Sequence, residues 1–195
     1  IDFNDKRHLT ITNGINFYPK TGLFEKINFW LGLGRVLLYD WSIYQDWLYI
    51  GHNSQMKGQF SYDFTFLLEN EFYKGIQFYN NYRIMFEIEK DFSENISIEF
   101  EPQFGTEIIR EENPYQARNI SFGGEISFRL VDGVKFNFKL DQSRSTDFNT
   151  GKQIYSDKIA RLRFEYQPNS FLSIRIVTQY HEYYNIVDVQ PLLSY

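Results

Sequence analysis

The sequence contains no cysteine, only three histidines, and no uninterrupted apolar run long enough for a membrane helix. The absence of cysteine excludes a disulfide-based scaffold and metal sites built on thiolates. A helix that crosses a bilayer needs about 20 predominantly apolar residues, so helical insertion into a membrane is excluded too. The net charge of -5 provides no cationic excess for binding phosphate backbones, and we therefore expect no nucleic-acid partner.

Aromatic residues, by contrast, make up 19% of the chain, and aromatic side chains favour β-strands. The clearest pattern lies in residues 158–180, where Leu162 and Phe164 alternate with Arg161 and Arg163. Side chains alternate between the two sides of a strand, so this segment predicts a β-hairpin with one apolar and one charged face.

The same alternation recurs along the chain and predicts about eleven strands, with no helix and no domain boundary. Asn13-Gly14 leaves open whether the first predicted strand is continuous or turns there. Residues 40–46 are predicted to form a loop, and Gly32 and Gly34 to mark a bend or a close approach. Pro102 has no backbone N–H to donate, so a bulge or a frayed position is expected in its strand.

The predicted connections alternate in length over the second half of the chain. In an up-and-down meander alternate connections lie at the same end of the sheet, so short turns gather at one end and longer polar loops at the other. Outer-membrane barrels are organised this way, with periplasmic turns and extracellular loops. The predicted strands also have the roughly nine or more residues that a tilted strand needs to cross a bilayer. The short turns are residues 93–95, 132–133 and 168–170, and the long loops are residues 109–116 and 143–152.

We therefore predict an all-β fold, an antiparallel up-and-down meander of about 10–12 long strands that forms a transmembrane β-barrel, partial and open. Its expected function is that of a non-enzymatic barrel in the outer membrane of a Gram-negative bacterium. It would serve as a channel, a transporter part or a surface anchor with a polar, charged lumen. The alternative is a soluble β-barrel that binds a lipophilic ligand in an apolar interior, and detergent dependence separates the two.

Eleven charged side chains lie in the middle of predicted strands, on the face opposite the apolar one. At the lipid midplane a Lys or Arg costs about 2–4 kcal/mol, whereas a wet lumen tolerates it. We therefore predict that these side chains face a lumen and that Phe136, Phe138 and Phe164 face lipid. The other reading is the solvated face of a soluble sheet. The eleven residues are Glu87, Glu99, Glu101, Glu125, Arg129, Lys135, Lys139, Arg161, Arg163, Glu165 and Arg175.

Two segments near the end of the sequence resemble a known barrel family: FLSIRIVTQY at residues 171–180 and VQPLLSY at residues 189–195. The family comprises large surface proteins of Bacteroidetes and related bacteria. They carry an N-terminal module similar to family-nine carbohydrate-binding domains and a C-terminal outer-membrane barrel of unknown function. The resemblance implies the bilayer of the outer membrane as a partner, and carbohydrate through a module that is absent here. It implies no catalytic residues and no cofactor.

The resemblance also implies that residues 1–195 are a single barrel domain cut from a larger barrel, because further strand-forming sequence follows this stretch in the family. An odd number of strands agrees, since single-chain bacterial barrels have even numbers. The rival interpretation is that Tyr195 is a true terminus, with an aromatic last residue that resembles the assembly signal of outer-membrane barrels.

Catalytic residue types are sparse. His52-Asn53-Ser54 has the residue types of outer-membrane acyl hydrolases, but neighbours in a strand point to opposite faces, which argues against a catalytic triad. Glu99 and Glu101 share a face about 7 Å apart, a separation that glycosidases use, yet a structural role opposite Arg and Lys is favoured.

No metal or cofactor site is predicted either. Asp141, Asp147 and Asp157 flank a predicted loop, but their spacing matches no calcium motif. Tyrosine and tryptophan near strand ends suit the aromatic girdles of a membrane barrel, and Tyr115 and Tyr183-Tyr184 are the alternative candidates for stacking on sugars. The girdle candidates are Tyr18, Tyr39, Trp41, Tyr155, Tyr166 and Tyr180.

Overall fold

The computed structural model describes residues 6–195, and its regular structure consists of strands that hydrogen-bond in chain order. They form one 11-stranded antiparallel sheet in which every neighbour in space is also a neighbour in sequence. Within residues 6–195, no helix has the length and apolar composition of a membrane span. The strands are β1 (Lys6–Phe17), β2 (Phe24–Leu38), β3 (Ile43–Met56), β4 (Phe60–Tyr73), β5 (Ile76–Ser93), β6 (Ile96–Ile109), β7 (Tyr115–Val131), β8 (Val134–Asp147), β9 (Gln153–Tyr166), β10 (Ser173–His181) and β11 (Ile186–Ser194).

The predicted all-β antiparallel meander is therefore confirmed, with strands of 9 to 18 residues. β1 is continuous, because Asn13 pairs with Leu31 and Gly14 with Trp30 in β2, so the rival hairpin turn is wrong. The predicted loop at residues 40–46 is too long, because β3 already begins at Ile43. Gln45 and Asp46 of that stretch pair with Glu71 and Asn70 of β4.

Pro102 interrupts one ladder without causing a bulge. It pairs with Phe122 of β7 in an unshifted register. On its other side the ladder between β5 and β6 skips from the pair of Met85 and Gln103 to the pair of Ile88 and Phe100. The missing N–H of Pro102 therefore removes ladder hydrogen bonds toward β5, but neither strand contains an extra residue at this point and the register is unchanged.

The two long polar loops are shorter than predicted. The connections that remain are residues 110–114 and 148–152, while the predicted short turn between β9 and β10 covers residues 167–172. The predicted difference in length between the two ends is therefore wrong, because the two longest connections, residues 18–23 and 167–172, lie at the same end as the short turns. Polar residues such as Asn119 and Ser145 belong to strands here, since they pair with each other on the polar side of the sheet.

The grouping of the connections is as predicted. Successive strands alternate in direction, so residues 94–95, 132–133 and 167–172 lie at one end, which we call the turn end. Residues 110–114 and 148–152 lie at the opposite end, the loop end. Which end faces the outside of a cell stays a prediction.

β1 and β11 are the two edges of the sheet within the described residues. β1 pairs with β2 and β11 pairs with β10, and no ladder joins the two edges. The sheet is therefore open, as predicted, and its edge strands are exposed along most of their length.

Few apolar side chains are buried in this sheet. The buried hydrophobic residues of the described chain are Val36, Leu67, Phe78, Ile109 and Ala117. Large apolar side chains in mid-strand stay exposed instead, and this exposure extends from β1 to β11. A soluble domain of this size would normally bury such residues in a core.

The close approach predicted at Gly34 is confirmed, whereas at Gly32 an added Cβ would meet no atom nearer than 3.6 Å. The ring of Trp47 lies over Gly34, where an added Cβ would come within 2.3 Å of it, and the two residues are paired across β2 and β3. Gly51 likewise pairs with Trp30 and lies 2.0 Å from its ring by the same measure. Each strand of this hairpin thus places a large ring over a glycine of the other.

Candidate functional site: the charged face of the sheet

All eleven charged residues predicted to share a face do so. Directly paired residues point to the same side of a sheet, and Lys139 pairs with Glu125 in β7 and with Arg161 in β9. Lys135 pairs in the same way with Arg129 and Glu165. We call this side the charged face and the opposite side the apolar face. That the charged face lines a lumen stays a prediction.

The charged face is concave over β4 to β9. A depression of about 520 Å³ is lined by side chains from six consecutive strands. Polar side chains also meet across intervening strands: Lys139 Nζ of β8 lies 3.9 Å from Glu101 Oε2 of β6. Gly123 of β7 stands between them, and a Cβ there would come within 2.7 Å of Glu101 Oε2. The ionisable residues that line the depression are all acidic: Asp63, Glu87, Glu101, Asp141 and Asp157.

A second depression, of about 370 Å³, carries the opposite charge. Its lining includes Lys139, Arg161, Arg163 and Arg175 against Glu125 and Asp188.

Two acceptors, Glu165 and Gln179, hold these arginines in position. Glu165 accepts hydrogen bonds from Arg163 Nε at 2.9 Å and Arg175 Nε at 2.8 Å. Arg161 donates through Nε and Nη2 to Gln179 Oε1 at 3.0 and 2.7 Å. Charge is therefore separated across the face, with acids concentrated on β4 to β6 and cations on β8 to β10.

At the loop end an ion pair joins β4 to the connection that follows β6. Arg110 donates to both carboxylate oxygens of Glu71, at 2.8 and 2.9 Å, and Glu71 is only 6% exposed. This hydrogen-bonded carboxylate raises the pKa of the Arg110 guanidinium. Neither residue was singled out from the sequence, because Arg110 lies in a connection and no alternation pattern reaches it.

Tyr155 was predicted to belong to an aromatic girdle, and that prediction is wrong. Its hydroxyl donates to Glu107 Oε2 at 3.0 Å on the charged face, three strands away from Glu107. Asn119 and Ser145 lie between them, joined by a hydrogen bond of 3.1 Å. The phase of Arg161 and Arg163, continued back along β9, puts Tyr155 on the charged face, but the girdle prediction used only its place near a strand end.

Other girdle candidates fit better. Tyr166 and Tyr180 pair with residues of the apolar face near the ends of their strands, and each is 37–38% exposed. Tyr39 and Trp41 are about two-thirds exposed in the connection between β2 and β3.

Among the tyrosines considered for stacking on sugars, one pair of rings is exposed. Tyr183 and Tyr184 form an edge-on contact at 5.1 Å and remain exposed in the connection between β10 and β11. Tyr115 is half-buried in β7.

His52 and Ser54 share the apolar face, which corrects the objection raised from the sequence. Residues two apart in a strand point the same way, so the objection holds only for Asn53. Ser54 Oγ lies 3.1 Å and Tyr62 Oη 2.7 Å from His52 Nε2. Ser54 is 1% exposed, however, and His52 Nδ1 has no hydrogen-bond partner. The serine is closed to substrate and the histidine lacks the group that would orient it.

The three aspartates considered for calcium do not converge. Asp147 accepts hydrogen bonds from the backbone N–H groups of Asn149 and Thr150, at 3.0 and 2.7 Å, and caps the turn that follows β8. Asp157 lies 3.3 Å from His181 Nδ1. Among residues 6–195, no three His, Asp or Glu side chains have an arrangement suited to a metal ion.

Comparison with known proteins supports the fold. No family model matches the chain, and no curated protein sequence matches it. Among solved structures, the chain is similar to a NanC porin structure in a rhombohedral crystal form. The TM-score is 0.50 and the sequence identity 6%, over 98% of this chain and 97% of that chain. An identity this low shows the fold alone: the all-β meander is of a kind found in a porin. The resemblance of residues 171–180 and 189–195 to a Bacteroidetes barrel family stays a prediction.

Proposed function

We propose that this chain forms part of an outer-membrane β-barrel whose apolar face contacts lipid and whose charged face lines an aqueous passage. The observation that carries the proposal is the uncovered apolar face. Phe100, Phe138 and Ile126 stand in mid-strand on that face, and each is about 40% exposed. Soluble monomers rarely expose contiguous apolar patches above a few hundred Å², and here the exposed face extends over the whole sheet.

The charged face supports a passage in preference to a plain anchor. Its two depressions of about 520 and 370 Å³ carry ionisable and hydrogen-bonding side chains beside a few apolar ones, and neither is filled by an apolar core. Charged residues in this position would be tolerated only against water or one another. The fold similarity to a porin structure agrees with a membrane barrel but names no solute.

The alternative of a soluble barrel with an apolar interior fits poorly. The apolar side chains lie on the side opposite the acidic depression. The apolar groove lined by Leu9, Ile11 and Leu33 lies on that same outward side and has a volume of about 420 Å³. A lipophilic ligand would therefore bind at an outer surface and not inside a barrel.

Reconstitution tests the proposal. Refolded in detergent, the chain should insert into phosphatidylcholine vesicles once its edge strands β1 and β11 are paired, with each other or with further copies, and should then produce discrete conductance steps in a planar bilayer. A monodisperse, folded monomer in detergent-free buffer would overturn the membrane assignment. Insertion without any conductance would be the result expected of a membrane anchor and would refute the aqueous passage.

A further inference from the structure

Five cations stand on the apolar face at the loop end, in contrast to the turn end. They are Arg7, Arg35, Arg118, Arg144 and Lys158, placed by their pairing with residues of that face. At the turn end, the strands of the described chain place a single cation on this face, Lys90, which donates to the carbonyl oxygen of Gly58. The distribution is asymmetric although alternation along the strands is the same at both ends.

Three of these cations form a line across neighbouring strands. Arg144 of β8 pairs with Ile120 of β7 and with Ser156 of β9, so Arg118 and Lys158 are its diagonal neighbours. Diagonal neighbours in an antiparallel sheet lie about 7–8 Å apart, which is close enough for two long side chains to contact one anion. We call Arg118, Arg144 and Lys158 the basic line.

The basic line is short of carboxylate partners. Arg144 makes no hydrogen bond or ion pair with any residue in the range 6–195, and it is exposed. Arg118 lies 5.8 Å from the ring of Phe148 and has no carboxylate within ion-pair distance in the same range. Lys158 alone has an acidic neighbour, with Nζ 3.5 Å from Glu182 Oε1. The line therefore carries an uncompensated positive charge.

The position of the basic line relative to the apolar side chains indicates which ligand it could bind. On β7 the apolar face is uncharged from residue 120 to residue 128, and on β9 from residue 160 to residue 166. Eight residue steps correspond to about 26 Å along a strand, which at a tilt of about 40° spans about 20 Å of the ~25 Å height of a barrel's apolar band. Arg118 and Lys158 each stand two residues beyond these uncharged stretches. In a membrane, that places them where the apolar band meets the lipid headgroups.

We propose that the basic line binds the phosphate groups of anionic lipid headgroups, in the membrane leaflet at the loop end. This inference rests on the proposed membrane function. Arginine presents a planar fork of N–H donors that matches phosphate oxygens, and each cation at an anionic surface strengthens binding about fivefold. The loop end is then expected to face the leaflet that is richer in anionic lipid.

Lipid binding by the full chain in a neutral detergent tests this. The probe is lipid A with two phosphate groups, with phosphatidylcholine as reference, and affinity is measured by thermophoresis. We expect the double variant R118Q/R144Q to bind lipid A about 25-fold more weakly at low salt. The matched control K20Q/K57Q removes two cations from the turn end and should change affinity less than twofold. Millimolar inorganic phosphate should not compete.

Each contrary result has one meaning. Equal weakening in both double variants, or equal binding of lipid A and phosphatidylcholine by the unmodified chain, would overturn the basic line. Full competition by inorganic phosphate would show that the basic line binds a free anion and not a lipid headgroup. All variants are first tested for insertion into pure phosphatidylcholine vesicles. A chain that inserts there but ignores lipid A refutes this inference alone, whereas a chain that never inserts refutes the proposed function.

Discussion

Glycine serves at single positions of this sheet where another backbone comes too close for a side chain. Gly105 of β6 is the tightest case, because a Cβ there would lie 2.1 Å from the carbonyl oxygen of Tyr82 in β5. At this point the ladder between the two strands ends, and the Tyr82 N–H bonds to Thr106 Oγ1 at 2.9 Å. Gly124, on the apolar face, has no contact closer than 3.8 Å.

Gly105→Ala should therefore lower the free energy of unfolding by about 1–3 kcal/mol, because backbone cannot move aside as a side chain can. Gly124→Ala is the matched control, and a change below about 0.5 kcal/mol is expected for it. Urea unfolding of vesicle-inserted protein measures both. Equal stabilities of the two variants would show that the close approach at Gly105 is absent.

The Glu71–Arg110 pair allows a second test at this scale. Arg110→Gln leaves a carboxylate that is 6% exposed without its two charged hydrogen bonds, and we expect a loss of about 1–3 kcal/mol. Lys74→Gln at the same end removes a cation that donates to the exposed carbonyl oxygen of Glu111 and should cost less than about 0.5 kcal/mol. If both changes cost the same in urea unfolding, the ion pair contributes nothing specific.

Individual strands show how far alternation predicts structure. It assigned the two faces of β8 and β9 correctly, since period two is a local property of the backbone. It did not identify residues 143–147 as part of β8, because a run of polar residues that continues into the following turn has the composition of a loop. Contacts such as that between Arg110 and Glu71, or between Tyr155 and Glu107, depend on which strands curve toward each other. That curvature is a property of the whole sheet, so no local pattern contains it.

The two faces of β8 can be tested with one residue type. Phe138→Arg places a cation on the apolar face in mid-strand, and at the bilayer midplane it should cost about 2–4 kcal/mol. Asn137→Arg, the adjacent residue on the charged face, should cost less than about 1 kcal/mol. The urea midpoint in vesicles measures the difference. A greater loss for Asn137→Arg would reverse the assignment of the faces.

The whole sheet separates acids from cations across its concave side. Asp63 and Glu87 lie on β4 and β5, whereas Lys139 and Arg175 lie on β8 and β10. Neutralising the acids should therefore leave the cations in excess, and neutralising the cations should leave the acids in excess. The ion preference of a passage lined by this face would then shift in opposite directions for the two changes.

In planar bilayers under a salt gradient, K139Q/R175Q should shift the reversal potential toward cation selectivity. D63N/E87Q should shift it toward anion selectivity, because each substitution leaves the opposite charge in excess. The two double variants serve as controls for each other. Shifts in the same direction, or none in either variant, would show that ions do not pass along the charged face.

The reciprocal contacts of Trp47 with Gly34 and of Trp30 with Gly51 bear on the dimensions of the complete assembly. A slip of one residue between β2 and β3 would turn apolar side chains to the charged face, but a slip of two residues would keep every side chain on its own side. Alternation therefore does not prevent the longer slip. The rings do, because a slip in one direction would set Trp47 against Val36, and a slip in the other would set Trp30 against Tyr49. Stagger between strands sets the tilt and the radius of a barrel. Two indole rings thus help to determine how wide a passage this sheet can enclose.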